Sequence, residues 1–408
     1  MRVLLVGGGG REHAIGWKLA QSPRLDELMS LPANPGLAEL GPVVEGVDPE
    51  DATAVAALAA ARRVDLVVVG PEAPLAAGVV DAVTDAGVPA FGPGRAAARL
   101  ESSKTFAKEV MRRAGVPTAA SETFTDREAA YAHLSASEGP YVVKADGLAA
   151  GKGVLVTESR ADAESWVDRC LGGGFGAAGS SVVVEDHLDG PEVSVFAVCT
   201  DRGAAALEPA RDYKRLLDGD KGPNTGGMGA YSPVDDLPDD LVKWTVREVV
   251  EPTLEQMRAD GCPFTGFLYA GLTLSDDGPK VLEFNVRLGD PETQAVLPRM
   301  TTDLLDVLEG ADPEWSDGAI VNVVLAARGY PTAPEKGAVI AGLAGAPADA
   351  TVFHAGTREE GGKLLVDGGR VLSVVGAGAS VGEARRAAYE AVGAVAWPGA
   401  QFRADIGL

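Results

Sequence analysis

The sequence predicts an α/β protein of mixed α+β character that opens on a βαβ parallel-sheet domain and closes on a small mixed domain. Three observations carry this. Over the first hundred residues short apolar runs alternate with helical stretches, the pattern of parallel strands joined by crossovers. At 408 residues the chain is long enough for two or three domains of about 150 residues each. Its 46% hydrophobic and 23% charged content lets each of them bury a core.

Taken in order, RVLLVG (2–7) reads as a buried strand, followed by a glycine turn and a helix from about Arg11 to Gln21. A helix near 51–63 leads into the strand DLVVVG (65–70), a PEAPL turn and a helix over 75–87, and PAFG (89–92) closes the unit. SKTFAKEVMRRAGVP (103–117) is one amphipathic helix, stopped by Gly115 and Pro117. From 123 to 190 the pattern is strand, helix, strand, hairpin, helix, strand. Residues 191–325 carry long strands, a glycine-rich loop, a helix near 239–260 and two more strands. The tail shows short β-like runs (GAVIAGLA, TVFHAGT, KLLVDGGRVLSVVGAG) and one helix near 380–393. The expected divisions are 1–102, 103–190, 191–325 and 326–408.

Composition excludes several classes. There are 36 basic against 59 acidic residues, a formal charge of −23, so the chain lacks the cationic surplus that nucleic acid or an anionic membrane would require. Small phosphorylated substrates held by a few placed cations stay open. Mean hydropathy is +0.06 and no 18-residue uncharged apolar run occurs, so no membrane span is expected. The apolar run at the N-terminus is too short for a signal peptide. Cys170, Cys199 and Cys262 form no CxxC and suggest a reducing cytoplasm; four scattered histidines make a zinc site improbable.

Five stretches carry chemistry. GGGGREH (7–13) follows a strand and opens a helix, but GxGxxG spacing fails because Glu12 and His13 stand where glycine is needed. The amides of Gly8, Gly9 and Gly10 still offer a phosphate site, with Arg11 and Glu12 beside a ribose phosphate, or the run is only a tight turn. YVVKADGLAAGKGVLVT (141–157) is a strand-flanked glycine hairpin rather than a Walker A loop. Lys144, Gly151, Lys152 and Gly153 there suit a triphosphate. In SSVVVEDHLDGPEVSVF (180–196), Glu185, Leu188 and Glu192 either surround an adenosine or are ordinary residues of a solvated turn.

In KVLEFNVRLGDPETQ (280–294), alternation places Val281, Glu283, Asn285 and Arg287 on one face, and Leu282, Phe284, Val286 and Leu288 on a core face. Glu283 and Asn285 suit a nucleotide-bridged Mg²⁺, and Arg287 a carboxylate or phosphate. Asp290 before Pro291 also reads as a helix N-cap. RDYKRLLDGDKGPNTGGMGAYSP (211–233) is expected to be a long functional loop, with Asp212, Lys214 and Arg215 placing an amine and phosphates. Four phosphate charges in so acidic a chain need gathered cations, since one charge pair at 4 Å is worth about 4 kcal/mol at a dielectric near 20; Lys104, Lys144, Lys152 and Arg287 are the candidates.

Together these stretches resemble the ATP-grasp superfamily and, within it, the phosphoribosylamine–glycine ligase (glycinamide ribonucleotide synthetase) family. The resemblance runs through GGREH, VGPEAPL, LESSKTF, KADGLAAGKGV, DYKR, GPNTGGMGAYSP, EFNVRLGDPETQ, VFHAGT, GGRVL and FRADIG. It implies a Rossmann-like N-terminal domain, a two-part ATP-grasp core and a C-terminal mixed α/β domain. It also implies ligation of glycine to 5-phospho-β-D-ribosylamine in purine biosynthesis, with ATP and Mg²⁺ (or Mn²⁺), through a glycyl phosphate, in a monomer. By motif, Lys104, Lys144, Gly151, Lys152 and Gly153 hold ATP phosphates, and Glu185, Leu188 and Glu192 surround adenosine. Glu283 and Asn285 are metal ligands, and Arg287, Asp212 and Asp290 catalytic residues on the glycine side. Gly8, Gly9, Gly10, Arg11, Glu12, Glu72, Lys214 and Arg215 face the substrates. Departures fall at Tyr213, where the family has His, at Ser102 in place of Gly, and in LLDGDK (216–221). Rivals are a related purine carboxylate–amine ligase, against which GPNTGGMGAYSP speaks, and an inactive nucleotide-binding protein of this fold.

Overall fold

The computed structural model describes residues 1–149, 153–347 and 350–408. The first sheet is fully parallel, in the order β2-β1-β3-β4, from β1 (Arg2–Val6), β2 (Glu27–Leu31), β3 (Leu66–Val69) and β4 (Ala90–Phe91). Val3 to Val6 are wholly buried, as their uninterrupted apolar run requires. β2 went unread in the sequence. The helix expected over 75–87 is instead two, Glu72–Ala77 and Val79–Asp85, parted by Gly78 at φ +86°. The PEAPL segment thus starts a helix, with Pro74 in its tolerant first turn.

Helix Lys104–Ala114 matches its expectation. Ser103 caps it through the Phe106 amide, and Gly115 ends it in the left-handed region at φ +69°. The next sheet is antiparallel, β5-β8-β6-β7, from β5 (Ser121–Phe124), β6 (Tyr141–Ala145), β7 (Val154–Thr157) and β8 (Val182–Asp186). A second antiparallel sheet, β10-β9-β15-β16, is built from β9 (Glu192–Thr200), β10 (Gly203–Ala206), β15 (Gly266–Ser275) and β16 (Gly278–Asn285). One apolar core joins the first sheet, helix Lys104–Ala114 and this sheet, through Leu4, Val67, Val110, Val195, Leu268 and Phe284.

The segment 211–233 is not the plain loop expected. It contains β11 (Arg211–Asp212), a two-stranded ladder of β12 (Arg215–Leu217) with β13 (Lys221–Asn224), and β14 (Gly229–Ser232). β11 and β14 enter a five-stranded sheet, β11-β14-β17-β21-β18, with β17 (Ala319–Ala326), β18 (Thr351–His354) and β21 (Arg370–Gly378). The hairpin β19 (Thr357–Glu360) and β20 (Lys363–Val366) lies beside it. GAVIAGLA makes only isolated bridges, at Val339 and Ala341, rather than a strand. Helix Val381–Ala394 packs on this sheet through Ala384, Ala388, Ala391 and Val392. Among the described residues no helix is long and apolar enough to cross a membrane.

Candidate active site

β16 carries the first group of site residues, and its register corrects the alternation expected there. Gly271 pairs with Glu283 but Leu272 with Val281, so Leu282 is an extra, bulged residue. Val281 therefore joins the core with Phe284 and Val286, and Leu282 leaves it half-buried. Glu283, Asn285 and Arg287 keep a common face. The bulge is held by its neighbours: Val281 N donates to Pro117 O at 2.8 Å, and Thr118 Oγ1 to Val281 O at 2.6 Å.

Arg287 is the hub. Its Nη2 lies 2.8 Å from Glu101 Oε1 and donates to Asn285 Oδ1 at 3.1 Å, and its Nε is 3.2 Å from Glu72 Oε2. Glu72 also faces Arg11 at 3.8 Å. Burial would raise the Glu72 pKa, but Arg287 and Arg11 overcome it and hold the carboxyl at about 2. Burial would likewise raise Glu283. Lys214, Lys144, Lys104 and Arg287 outweigh it and keep Glu283 below its ordinary value, an ionised oxygen donor.

Lys144, on the fully buried β6, meets both oxygens of Glu185 on β8 at 3.0 Å and donates to Leu282 O at 3.3 Å. Lys108 reaches the same carboxylate at 3.0 Å. It lies one helical turn after Lys104, whose Nζ donates to Gly147 O at 3.2 Å. Burial lowers the Lys108 pKa, Glu185 opposes this and Lys144 reinforces it. Asp146, at the foot of the glycine hairpin, accepts from the Thr105 amide at 3.2 Å and from Ser181 Oγ at 2.9 Å. Gly153 closes the hairpin, its carbonyl accepting from Ala145 N at 2.8 Å and Trp166 Nε1 at 3.4 Å. Gly151 and Lys152 lie outside the described residues.

A third group gathers around Asp212, whose carboxyl is pushed up by burial and pulled back by Lys214. Lys214 is ion-paired with Glu192 and stays charged, because Asp212, Tyr269, Glu192 and Glu283 outweigh its partial desolvation. Glu192 thus sits with Lys214. Glu292 accepts from Ser194 Oγ at 3.2 Å, and Ser194 in turn bonds the Tyr269 hydroxyl at 2.9 Å. Burial first, then Asp212, raises Glu292 to about 7. Arg215 turns away from this group and bonds Gly222 O at 2.9 Å across the ladder. Leu188 is half-buried in the turn between β8 and β9.

The glycine run at the N-terminus completes the cleft. Gly9 N donates to Glu12 Oε2 at 2.8 Å, and Arg11 Nε lies 2.5 Å from Glu12 Oε1, so the buried Glu12 is satisfied from within. Asn34 Nδ2 holds Gly8 O at 2.8 Å. A Cβ on Gly10 would come within 2.8 Å of Gln294 Nε2. Gln294 in turn donates to Asp290 Oδ1 at 2.9 Å, whose other oxygen meets Arg370 at 2.9 Å. Asp290 is no N-cap: the short helix Thr293–Val296 begins after Glu292.

The structure therefore brings Lys104, Lys144, Glu185, Glu283, Asn285, Arg287, Asp212, Lys214, Glu72, Arg11 and Asp290 into one linked array of ion pairs and neighbouring charges. Sequence reasoning missed Lys108, Glu101, Glu292, Tyr269, Ser194 and Arg370. Lys108 was findable from its four-residue spacing to Lys104. Glu101 and Glu292 stood within stretches already singled out. The array is a set of fixed cations beside two oxygen donors and buried carboxyls, suited to a polyphosphate and to positioning acyl-transfer partners rather than to a covalent enzyme nucleophile.

Comparison with known proteins agrees. Residues 1–101 match the N domain of phosphoribosylglycinamide synthetase, 102–293 its ATP-grasp (A) domain and 320–408 its C domain. The chain is 50% identical over 415 residues to the phosphoribosylamine–glycine ligase of Rhizobium meliloti, covering all of this chain and 98% of that protein. It is also 50% identical to that of Streptomyces coelicolor over 419 residues, with the same coverage. The crystal structure of phosphoribosylamine–glycine ligase from Thermotoga maritima superposes with a TM-score of 0.87 at 37% identity, over 99% of this chain and 100% of that one. The biotin carboxylase domain of Hydrogenobacter thermophilus 2-oxoglutarate carboxylase shares the fold alone, with a TM-score of 0.74 at 17% identity. The chain belongs to the phosphoribosylamine–glycine ligase family, the ATP-grasp ligases that join glycine to phosphoribosylamine.

Proposed function

We propose that the chain ligates glycine to 5-phospho-β-D-ribosylamine in purine biosynthesis by way of glycyl phosphate. The observation that carries this is the convergence of Lys104, Lys144 and Lys214 on Glu283, on the face of β16 that also bears Asn285 and Arg287, with Lys108 beside Lys144 on Glu185. The glycine carboxylate attacks the γ-phosphorus of ATP, and ADP leaves. The amine nitrogen then attacks the acyl carbon, phosphate departs, and the nitrogen gives up a proton as the amide forms.

Lys104, Lys108, Lys144, Lys152 and the Gly151–Gly153 hairpin neutralise and hold the phosphates. Glu185, Leu188 and Glu192 line the adenosine side, along the chain from the end of β8 through the turn to the start of β9. Arg287, fixed by Glu72 and Glu101, orients the glycine carboxylate, with Asp212 and Asp290 on the glycine side. Gly8–Gly10, Arg11, Glu12, Glu72 and Lys214 take the ribose phosphate and amine, whereas Arg215, expected with them, is exposed and holds Gly222 O across the ladder instead. Glu292, protonated or not near neutral pH, stands where a proton can be held during amide formation.

Glu283 and Asn285 fit Mg²⁺ or Mn²⁺: two hard oxygen donors, one of them ionised, leave the remaining positions to water and phosphate. Among the described residues no group of three or more acidic, His or Cys side chains offers an all-protein cage. Bound there, the metal neutralises phosphate charge. The partners are small molecules, neither nucleic acid nor membrane, and the protein works as a cytoplasmic monomer. Its organisation is the four-part division at 102, 190 and 325, with β11, β14 and β17 contributed to the sheet of the last part.

The test is ADP release with Mg-ATP, glycine and freshly generated phosphoribosylamine, each omitted in turn. Release that needs all three is the expected result. Turnover without glycine dependence, or ATP binding without turnover, would overturn the reading.

A further inference from the structure

The β12–β13 ladder is an exposed pair of short strands with little core of its own, and an isolated two-stranded ribbon is marginally stable at best. Its foot is the reaction centre. Thr225 N and Oγ1 both bond Lys214 O at 2.8 Å, and Asp212 is two residues earlier. The far side of the ladder meets a single buried cation. Arg403, 1% exposed, forks onto Asp405 with both contacts at 2.6 Å. It also reaches Asp220 Oδ1 at 2.7 Å and Arg215 O at 3.2 Å, and its guanidinium lies 4.7 Å over the Tyr213 ring.

The contact is reciprocal. Asp405 accepts from Gly219 N at 2.8 Å, Asp218 from Ala404 N at 2.8 Å, and the Tyr213 hydroxyl from Gly407 N at 3.0 Å. Behind it the tail is bolted to helix Val381–Ala394. Tyr389 donates to Arg403 O at 2.6 Å, and Arg385 to Ala404 O at 2.6 Å and Ile406 O at 3.1 Å. A buried ion pair is a weak source of stability, because desolvation offsets most of its attraction, while it fixes geometry well. An apolar side chain would fill this space as well, but it would bond neither Asp220 nor Arg215.

We infer that Arg403 is a positioning residue for the ligase reaction: with Asp405 it clamps the β12–β13 ladder to the C-terminal helix and so fixes Asp212 and Lys214 beside the substrates. This rests on the ligase reading above. The clamp acts on the glycine and amine side and makes no contact with the Lys144–Glu185 pair on the nucleotide side.

The test uses the full chain with two kinds of variant. Asp218→Ala/Asp220→Ala removes two of the clamp's contacts from the exposed loop side without touching the core, and Arg403→Leu empties it from within. Both are expected to lose amide-exchange protection at 215–224. The kcat/KM for glycine should fall on the order of tenfold or more, with the KM for ATP and Tm of the double variant unchanged. Arg403→Lys, charged but without the fork, is expected to follow Arg403→Leu in glycine kinetics. Wild-type glycine kinetics despite a deprotected ladder would overturn the clamp, as would unchanged exchange at 215–224. A parallel loss of ATP and glycine parameters with a lowered Tm in the double variant would reduce Arg403 to structural support and overturn it too. Failure of the ligase reading is separate, because the wild-type omission assay reports it before any variant is made.

Discussion

Glu101 binds two consecutive residues at once: its Oε1 lies 2.8 Å from Arg287 Nη2 and its Oε2 accepts the Val286 amide at 2.8 Å. The end of helix Arg95–Ser102 thereby sets both the backbone and the guanidinium direction just past β16. Arg287→Lys keeps the charge but cannot serve Glu101, Glu72 and Asn285 together. We expect kcat to fall on the order of 100-fold with little change in ATP affinity. Steady-state kinetics in glycine and ATP checks this, and a loss below threefold would remove Arg287 from the glycine side.

Glu283→Ala is expected to abolish turnover while circular dichroism and Tm stay near wild type, since the side chain sits on the cleft face of β16 rather than in its core. Wild-type-like activity would sink the metal assignment.

Lys108 shares Glu185 with Lys144. In Lys108→Met the carboxylate keeps one cation and the cleft loses one. Nucleotide affinity is expected to weaken about tenfold by calorimetry, the scale of one charge-assisted contact. Unchanged affinity would return Lys108 to a packing role.

His13 and His354 make a pH-sensitive joint between helix Gly10–Leu19 and β18, with His354 N donating to His13 Nδ1 at 2.8 Å. Burial, with His354 second, lowers His13 to about 3, and burial lowers His354 to about 4. Both lie below the unfolded value of about 6.5, so the unfolded chain takes up protons first as pH falls. The joint costs nothing above pH of about 6.5. Below it stability drops by up to about 1.4 kcal/mol per histidine per pH unit, down toward the folded values. Thermal melts between pH 7.5 and 4.5 should show a shallower acid slope in His13→Asn; an identical slope would exclude the joint.

Glu292, raised to about 7, has the opposite sign. Its folded form holds the proton more tightly than the unfolded chain, so its burial costs more as pH climbs from about 4.3 to 7. Asp212, Arg287, Lys214, Ser194 and Tyr269 are the groups that face it. Glu292→Gln is expected to be more stable than wild type at pH 8, on the order of 2 kcal/mol, and similar at pH 5. Its pH–rate profile should lack an inflection near 7. An unchanged profile would show that Glu292 does not titrate during turnover.

Local patterns in the chain revealed single elements well and their interleaving poorly. Val3 to Val6, Ser103 with Gly115, and the strand–hairpin–strand around Lys144 follow from periodicity and capping alone. The bulge at Leu282 does not, because it depends on what Gly271 and Leu272 offer across the strand pair. The β12–β13 ladder was hidden for a similar reason. Its residues are polar and glycine-rich, and what orders them is Arg403, nearly two hundred positions away. Lys104, Lys144, Glu283, Asn285 and Arg287 were legible because charges beside glycines or on one strand face have few structural excuses. Glu292 was not, since only burial beside Asp212 distinguishes it from a surface acid.

The sheet β11-β14-β17-β21-β18 stitches the strand of Asp212 to partners late in the chain: Tyr231 pairs with Val321, and Val321 with Gly376. During synthesis β14, the partner of the strand bearing Asp212, must therefore wait, unpaired on one edge, until β17 at Ala319–Ala326 has emerged. Such distant closures are slow. A nascent chain stalled before β21 would expose β17 as an open edge inviting aggregation, so the sheet that carries Asp212 on its outer strand closes only once the last part of the chain has been made.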